Sequence, residues 1–442
     1  MADTPLPTQL RNRDRKRLQS YTENLAFYDG KQWTTAARRG ERRLTLNYVR
    51  SIIHKTTSYL LTGRTTVAAP LDDTETAAEE AQRTEVALAQ VADQNNLEQL
   101  DFDTELDAAT LGDGVFKVFW DTVEQRVHIT APDPSNIHAW HWPDDPSRLW
   151  RVANTYTLDA NDTQHIIPSI ATTKKRVTIT EAWTLTTYQL WADDTLIDET
   201  TNPYDFIPFV IFPNLREPKQ LWGTSDVPAL IDPQRELNRA LTQLSKILEL
   251  SGNPIAVLEN VTEAQDIAVT PGAIWEVPEK AKAYLLDLLQ HGGVRLHIDY
   301  VDAIYRTLHD LSETPRSAFG GIDRDLSGVA LQLELDPIVK KVQRKRLIRT
   351  AAYRARNEII LLLLNQFTNA GLTTANHDIQ WGSVLPTDYD RQVANEVALV
   401  GAGVHARRFA ADQLGGVDNP DDEFARWLEE EQQARNAGAG PP

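Results

Sequence analysis

Residues 230–254 read LIDPQRELNRALTQLSKILELSGNP, and residues 293–313 read GVRLHIDYVDAIYRTLHDLSE. Each stretch repeats apolar residues at three- and four-residue spacing, which predicts two amphipathic helices. The apolar positions are Leu237, Leu241, Leu244 and Leu248 in the first and Val294, Ile298, Val301, Tyr305, Leu308 and Leu311 in the second. Two such helices can pack as an antiparallel pair and present the residues between them at the far tip.

The residues between and after these helices interrupt the helical pattern. The insert predicts short strands at 255–258 and 273–277 and a mostly helical stretch at 279–290. Residues 313–331, ETPRSAFGGIDRDLSGVAL, form a long glycine-containing loop. Such loops in compact proteins are more often functional than accidental. A long helical run follows, in which Pro337 predicts a kink or a new start.

The remainder predicts a mixed α+β fold that is mainly helical. Helices are expected at 8–28 and 46–61 and along the acidic stretch 75–109. The expected buried positions of that acidic stretch are Val86, Leu88, Val91, Leu97 and Leu100. From residue 115 the apolar period becomes two, which predicts a β-rich layer. Two or three helices, near 387–400, 404–414 and 420–434, are expected to close the chain, and the tail NAGAGPP predicts disorder.

Composition sets outer limits on the class of protein. The chain has 442 residues, so more than one packed unit is expected. It contains no Cys, which excludes disulfides and zinc–thiolate sites. The longest aliphatic run, residues 359–364, is too short to cross a bilayer, and the N-terminus lacks the apolar core of a signal peptide. We therefore expect a soluble protein without a membrane partner.

Charge is unevenly distributed along this acidic chain, whose formal net charge is −18. Residues 10–64 are strongly basic, residues 71–113 are strongly acidic with Arg83 as the only cation, and residues 340–356 contain no acidic residue. Such blocks indicate either complementary patches for self-association or a polyanion partner, although solvated helix faces produce the same pattern. An acidic chain is a poor candidate for tight DNA binding but suits a surface past which DNA must slide.

No motif predicts catalysis. The chain lacks a GxxxxGK[ST] phosphate loop, a GxSxG elbow and an HExxH motif. The nearest metal-like cluster is His138, His141, Asp144 and Asp145, which surface β structure also explains. The 11 Trp residues leave open a metal-dependent or glycan-processing enzyme built on the β-rich region. We expect no catalytic residue, no cofactor and no metal.

Six segments carry a resemblance to a known family. They are FYDGKQW at 27–33, NYVRSIIHKTTSYLLTG at 47–63, LGDGVFKVFWD at 111–121, PFVIFPN at 208–214, the stretch 223–254 and the stretch 311–339. In this order, with a small β insert between the last two, the chain resembles the portal proteins of tailed bacteriophages in the long-tailed, siphophage-like group. The resemblance covers roughly residues 21–427. A capsid or adaptor subunit remains the alternative within the virion.

The resemblance implies a domain map. The wing would comprise residues 1–225 and a long kinked helix with its surroundings at 329–385. The stem would consist of helices at 226–253 and 291–313, the clip would be a small α/β unit at 254–290, and the tunnel loop would span 314–328. Residues 386–442 would form the helical crown and a disordered tail.

The resemblance also implies partners. Such proteins form a homo-oligomeric ring of about twelve subunits, with head-to-tail contacts between neighbours. The ring sits at one capsid vertex and forms the channel through which double-stranded DNA is packaged and ejected. It would assemble in the host cytoplasm and bind terminase, a head–tail adaptor, and the major capsid and scaffolding proteins.

Site residues follow from this map as expectations. The tunnel-loop residues facing DNA would be Arg316, Phe319, Gly320, Gly321, Asp323 and Arg324. The partner-binding clip residues would be Glu263, Asp266, Trp275, Glu279 and Lys280. The basic helix, with Lys340, Lys341, Arg344, Lys345 and Arg349, has two possible partners: DNA outside the ring, or acidic residues of a neighbouring subunit, which we favour.

Overall fold

A computed structural model describes residues 5–39, 41–72, 74–168, 170, 174–252, 255–259, 282–286, 293–320, 328–374, 376–385, 389–414 and 420–436. The chain divides into two compact units, Met1–Gly382 and Ser383–Pro442. The mixture of helices and antiparallel sheets confirms the α+β class.

The first unit contains both helix-rich and sheet-rich parts. Its helices are α1 Leu6–Arg13, α2 Arg15–Tyr28, α3 Tyr48–Leu61, α4 Glu75–Gln94, α5 Leu97–Leu111, α6 Ala160–Ile166, α7 Ile231–Gly252, α8 Gly293–Ser312 and α9 Gly328–Thr368. Short 3₁₀ turns precede α7 at Pro228–Leu230 and follow α8 at Arg316–Phe319. The predicted helix at 8–28 is therefore two helices separated at Asp14.

The strands form four antiparallel sheets in the described part of the chain. β1 Arg64–Ala68 pairs with β12 His377–Trp381, and β10 Ile255–Glu259 pairs with β11 Lys282–Leu286. β2 Asp113–Asp121 lies between β3 Arg126–Thr130 and β9 Phe209–Pro213. The largest sheet follows chain order through β4 Ile137–Trp142, β5 Asp145–Asp159, β6 Arg176–Thr184, β7 Thr187–Ala192 and β8 Thr195–Thr201. The expected β-rich layer is confirmed.

Two apolar cores position the elements of interest. One core joins α4, α5, β2, β3 and β9 to α9 around the buried rings of Phe116 and Tyr353. A second core joins α2 and α3 to α7 and α8 through residues such as Ile52, Leu237 and Leu308. The start of the α7–α8 pair is therefore built into the same body as the N-terminal helices.

The acidic stretch folds as α4 and α5, with Asn96 in the left-handed region at the junction. Leu88, Val91 and Leu97 are buried as expected, but the expectation for Val86 was wrong because it is 50% exposed. Val86 is two residues from Leu88, and side chains at that spacing do not share a helix face.

Two further local predictions need correction. Residues 282–286 were expected to be helical, but they form β11, with Leu286 opposite Ile255 and Lys282 opposite Glu259. A short apolar run fits either state, and pairing with β10 decides it. The expected strand at 273–277 lies outside the described residues. Of the two alternatives at Pro337, the restart is wrong, because α9 continues through this residue, and the kink stays a prediction. Pro337 is exposed, while Ile338 beside it is buried.

The second unit carries the three predicted C-terminal helices, α10 Tyr389–Gly401, α11 Arg407–Leu414 and α12 Pro420–Asn436. Within it, His405 Nδ1 lies 2.8 Å from a carboxylate oxygen of Glu396, and the His405 ring packs edge-on against Phe409.

Among the described residues of the whole chain, no helix is long and apolar enough to span a membrane.

Candidate functional site: the helix pair, the loop start and the basic helix

Helices α7 and α8 pack against each other as an antiparallel pair, as the sequence predicts. Leu237 and Ala240 of α7 share a buried core with Ile304 and Leu308 of α8, and Glu236 accepts a hydrogen bond from the Tyr300 hydroxyl at 2.8 Å. Burial then decreases toward the insert. The side chain of Leu248 is 52% exposed and that of Ile298 is 51% exposed. The far half of the pair thus presents apolar side chains on both helices.

Three polar residues on α7 hold an extended segment, residues 41–47, along the helix. Gln234, Asn238 and Thr242 are spaced by four, so they lie on one face, and all three are buried. Thr242 accepts the N–H of Leu44 at 3.0 Å, Asn238 that of Leu46 at 3.0 Å and Gln234 that of Tyr48 at 3.1 Å. Alternate N–H groups therefore face α7, which is the pattern of an extended chain.

Sequence reasoning missed this arrangement. The only available signal was the four-residue spacing of three neutral polar side chains on the otherwise apolar face of an amphipathic helix. Asn238 also donates to Gln32 at 2.6 Å, and Gln234 donates to the carbonyl of Leu46 at 2.6 Å. The segment is thus fixed by hydrogen bonds to groups that would be costly to leave unpaired.

The start of the loop after α8 is firmly anchored. Thr314 is fully buried, and its carbonyl lies 2.6 Å from Nδ1 of His309, which therefore acts as the donor. The Thr314 hydroxyl lies 3.4 Å from that of Thr56 on α3. Lys341 of α9 donates to the carbonyl of Ser312 at 3.0 Å. Three helices thus fix the point from which the loop departs.

Phe319 lies just beyond this anchor and is partly exposed. Its ring packs edge-on against His309 at 5.8 Å, and the Lys55 ammonium lies 5.6 Å from its centroid. Arg316 is exposed, and Gly320 has a left-handed φ of 83° that favours glycine. Of the remaining expected loop residues, Gly321, Asp323 and Arg324 lie outside the described residues. The five expected clip residues, Glu263, Asp266, Trp275, Glu279 and Lys280, also lie outside them.

Helix α9 carries three of its buried cations at four-residue spacing. Lys341, Lys345 and Arg349 are buried on one face. Lys345 donates to Asp226 at 2.6 Å, and Lys341 lies 3.3 Å from the same carboxylate. Arg349 donates two hydrogen bonds of 2.8 Å to the carboxylate of Glu105. These charges are therefore compensated inside the subunit, and the bidentate pair is the stronger form of such a contact.

Electrostatics at this cluster follow from burial and mutual proximity. Burial alone would raise the pKa of Asp226, but the ammonium groups of Lys341 and Lys345 outweigh it and lower that pKa. Burial also lowers the pKa of Lys345, against the opposing pull of Asp226 and Glu105. The cluster is stable only when its members remain together.

This geometry corrects the expectation for the basic helix. The partners of Lys341, Lys345 and Arg349 are acidic groups of their own chain, neither DNA nor a neighbouring subunit. Periodicity indicated a helix, but it could not show that Asp101 and Glu105 lie across from it on α5. Lys340 is exposed, and Arg344 is exposed with its guanidinium 2.6 Å from Glu313. For these two residues the expectation stays open.

The basic and acidic N-terminal blocks also meet partly within the subunit. Arg64 from the basic block and Arg356 from α9 both form ion pairs with Asp101. Asp113 accepts a hydrogen bond from the Tyr21 hydroxyl and another from the N–H of Gly223 at 2.8 Å. Burial raises the pKa of Asp113 to about 6. Arg64 of the basic block and Asp101 and Asp113 of the acidic block therefore have partners inside the subunit and are not available to a neighbouring one.

The His/Asp cluster does not gather around a common point. His138 is buried on β4 and its Nδ1 lies 2.6 Å from Asp14. His141 faces the carbonyl of Trp142, and Asp145 accepts bonds from Ser147 in a turn. Across the described ranges, no group of three or more His, Cys, Asp or Glu residues could hold a metal ion.

Within the described residues, the subunit combines a helix pair, an insert with two strands, an anchored loop start and a long helix. Residues 8–437 match the family described as "Phage portal protein, SPP1 Gp6-like". No curated protein gave a significant match. The chain belongs to this phage portal family, because the match spans nearly its whole length. Its function is that of a portal, a virion component that acts in DNA packaging, and the family is structural rather than enzymatic.

Proposed function

We propose that this chain forms a closed ring of about twelve head-to-tail subunits whose central channel carries double-stranded DNA during packaging and ejection. The portal family implies an oligomeric ring and contacts with DNA, capsid and terminase in general. The observation that carries the finer proposal is the α7–α8 pair, which has one end packed in the subunit core and the loop after α8 fixed at its first residues. A rigid pair with an anchored loop suits the wall of a channel.

In this arrangement α7 and α8 are the stem, and residues 254–290 at their far end are the clip. The exposed apolar residues toward that end, including Leu248 and Ile298, support a partner-binding role for it. The partners would be terminase during packaging and a head–tail adaptor later. Glu263, Asp266, Trp275, Glu279 and Lys280 are the proposed contact residues.

The tunnel loop, residues 314–328, would project into the channel. Arg316 and Arg324 would touch the DNA backbone transiently, Phe319, Gly320 and Gly321 would shape the constriction, and Asp323 would face the channel with them. Brief contacts suit this role because strong neutralisation of phosphates would stall translocation. The anchor formed by Thr314, His309 and Thr56 supports a fixed point for this loop.

The wing would comprise residues 1–225 and 329–385, and the helices α10 to α12 would form the crown. The ring would assemble in the host cytoplasm, where it meets scaffolding and major capsid proteins. In the mature particle it would occupy one capsid vertex.

Particle imaging of the purified protein tests the ring directly. Electron microscopy should show closed rings with a central hole, and class averages should count the subunits. A compact monomer at every concentration and ionic strength would contradict the proposal.

A packaging assay tests the loop. Combined replacement of Arg316, Phe319 and Arg324 by Ala should slow or stop DNA packaging in a reconstituted system while rings still form. Arg176→Ala is the matched control, because Arg176 is an exposed cation at the start of β6, outside the helix pair and the loop. Undiminished packaging by the triple variant would show that these residues have no role in translocation.

A further inference from the structure

An exposed group of arginines remains after the internal ion pairs are accounted for. Arg38, Arg39 and Arg42 are exposed in the segment that precedes and enters the extended residues 41–47. Leu44 and Leu46 of the same segment are 43% and 40% exposed. Residues 42, 44 and 46 share one face of an extended chain because side chains alternate along it. This face therefore combines a cation with two apolar side chains.

The segment is built to hold that face in a fixed position. Its alternate N–H groups bind Thr242, Asn238 and Gln234 on α7. At its beginning, Arg43 donates to the carbonyl of Ala36 at 3.1 Å and stacks over the ring of Trp33 at 4.8 Å. A preorganised surface loses less conformational entropy on binding than a flexible one.

A complementary surface lies on α4. Glu75 and Glu79 are exposed one helical turn apart. A groove of about 460 Å³ beside them is lined by Glu79, Gln82, Arg83, Val86, Ala87, Gln90 and Leu372. Its one cation, Arg83, already donates to the carbonyl of Ala370 at 2.9 Å. Glu79 thus borders a groove with apolar positions at Val86, Ala87 and Leu372, and Glu75 lies one turn away on α4.

The two surfaces belong to different parts of the same unit. The extended segment rests on α7, whereas α4 rests on α5, α9 and β1. Within one subunit, no described hydrogen bond or ion pair joins residues 38–46 to α4. Two unlike surfaces on one chain are what a head-to-tail ring requires, because each surface meets the other on the next copy.

We infer that Arg38, Arg39 and residues 41–46 of one subunit bind the groove beside Glu79 on α4 of a neighbouring copy of this chain. Leu44 and Leu46 pack against Val86, Ala87 and Leu372, while Arg39 and Arg42 pair with Glu75 and Glu79. This inference rests on the proposed ring and names one of its contacts. Exposed pairs of this kind are individually weak and are screened by salt, so the contact loosens as ionic strength rises.

Double-stranded DNA is the other candidate for this arginine group, and two observations favour the protein partner. The exposed leucines on the same face would be useless against phosphates but contribute to a protein interface. Three arginines would also add phosphate contacts, which are a disadvantage in a conduit past which DNA must slide.

Cysteine cross-linking tests the inference. The natural chain contains no Cys, so every cross-link must involve an introduced cysteine. Arg42→Cys combined with Glu79→Cys should give a ladder of covalent multimers when assembled rings are treated with a short bis-maleimide linker. Each single variant should stay monomeric under the same denaturing electrophoresis. The pair Arg42→Cys with Glu199→Cys is the matched control, because Glu199 is an exposed acid on β8.

Charge reversal gives a second readout. Arg39→Glu with Arg42→Glu should raise the subunit concentration needed for ring formation about tenfold, and adding Glu75→Arg with Glu79→Arg should restore it. If rings form but residues 42 and 79 do not cross-link, the inferred contact is wrong, while the proposal that the chain forms a ring still holds. Failure of the unaltered protein to form rings would instead contradict the proposed function. Loss of DNA binding by the arginine variant, with normal assembly and no cross-link, would assign the segment to DNA.

Discussion

Helix α9 and the segment at residues 38–46 both read as basic stretches, but the structure uses their cations differently. On α9, Lys345 and Arg349 are buried and bonded to carboxylates of the same subunit. In the N-terminal segment, Arg39 and Arg42 are exposed on a backbone held by α7. One stretch stabilises the subunit, while the other is placed to bind something outside it.

The contrast shows what distinguishes the two roles. Lys341, Lys345 and Arg349 of α9 are spaced by four residues, which places them on one helix face, toward α5 and Asp226. The arginines of the segment cluster on extended chain, where neighbouring side chains diverge. Burial against carboxylates of the same chain, rather than the number of charges, therefore separates the internal ion pairs from an interaction surface.

The largest expected loss of stability comes from breaking the internal network, the buried ion pairs of Lys345 with Asp226 and of Arg349 with Glu105. Arg349→Met removes both hydrogen bonds to Glu105 and leaves that carboxylate buried without its bidentate partner. The free energy of unfolding should fall by about 3–5 kcal/mol. Urea unfolding of the purified subunit measures the loss.

The matched control is Arg344→Met on the same helix, whose exposed pair with Glu313 should contribute at most about 1 kcal/mol. Equal losses for the two variants would mean that burial does not separate these charges as described.

Acid should weaken the same network. The lowered pKa of Asp226 means that its ionised form stabilises the fold above the ordinary carboxyl value of 3.8, and that this stabilisation is lost as the pH falls below it. The stability difference between the unaltered protein and Asp226→Asn should be constant above about pH 5 and narrow at lower pH.

Stability measured at a series of pH values tests this expectation. The control is Asp232→Asn, a change at the first turn of α7. A difference that widens toward acid would contradict the assigned ion pairs.

An intermediate effect is expected where the segment meets α7. Asn238→Ala leaves the N–H of Leu46 and the amide of Gln32 without their partner. Unfolding free energy should decrease by about 1–3 kcal/mol, and amide hydrogen exchange at Leu46 should accelerate. Gln243→Ala, an exposed change on the same helix, is the control. Unchanged exchange at Leu46 would show that α7 does not hold the segment.

The smallest effect on stability is expected at the exposed arginines. Arg39→Glu with Arg42→Glu should alter the free energy of unfolding by no more than about 0.5 kcal/mol per residue, since surface changes are usually of that size. The same variant should assemble poorly. A large loss of subunit stability would mean that these arginines serve the fold, which would remove the contrast with α9.

Much of the fold was predictable from local pattern. The α7–α8 pair, the β-rich layer and the three C-terminal helices all follow from apolar period. The strand β11 was missed because Lys282–Leu286 fits helix or strand equally well until β10 pairs with it. The exposure of Val86 was also missed, because a list of apolar residues does not fix which helix face they occupy.

The candidate site was less predictable, because its decisive contacts join residues far apart in sequence. Nothing local in the sequence connects Lys345 with Asp226 or Arg349 with Glu105. The same holds for Asn238 and the N–H of Leu46. The charge blocks led to an expectation of self-association or a polyanion partner, whereas long-range packing pairs several of these charges within the subunit.

The central claim is that α7, α8 and the loop after them line a DNA channel while the α9 cations stay inside each subunit. A cryo-electron microscopy map of the assembled protein tests it most directly. We predict a closed ring with α7 and α8 along the central channel, Phe319 near its narrowest point, and Lys345 and Arg349 bonded within their own subunit. A ring with the α7–α8 pair on its outer surface, or with Arg349 bridging neighbouring subunits, would contradict the account.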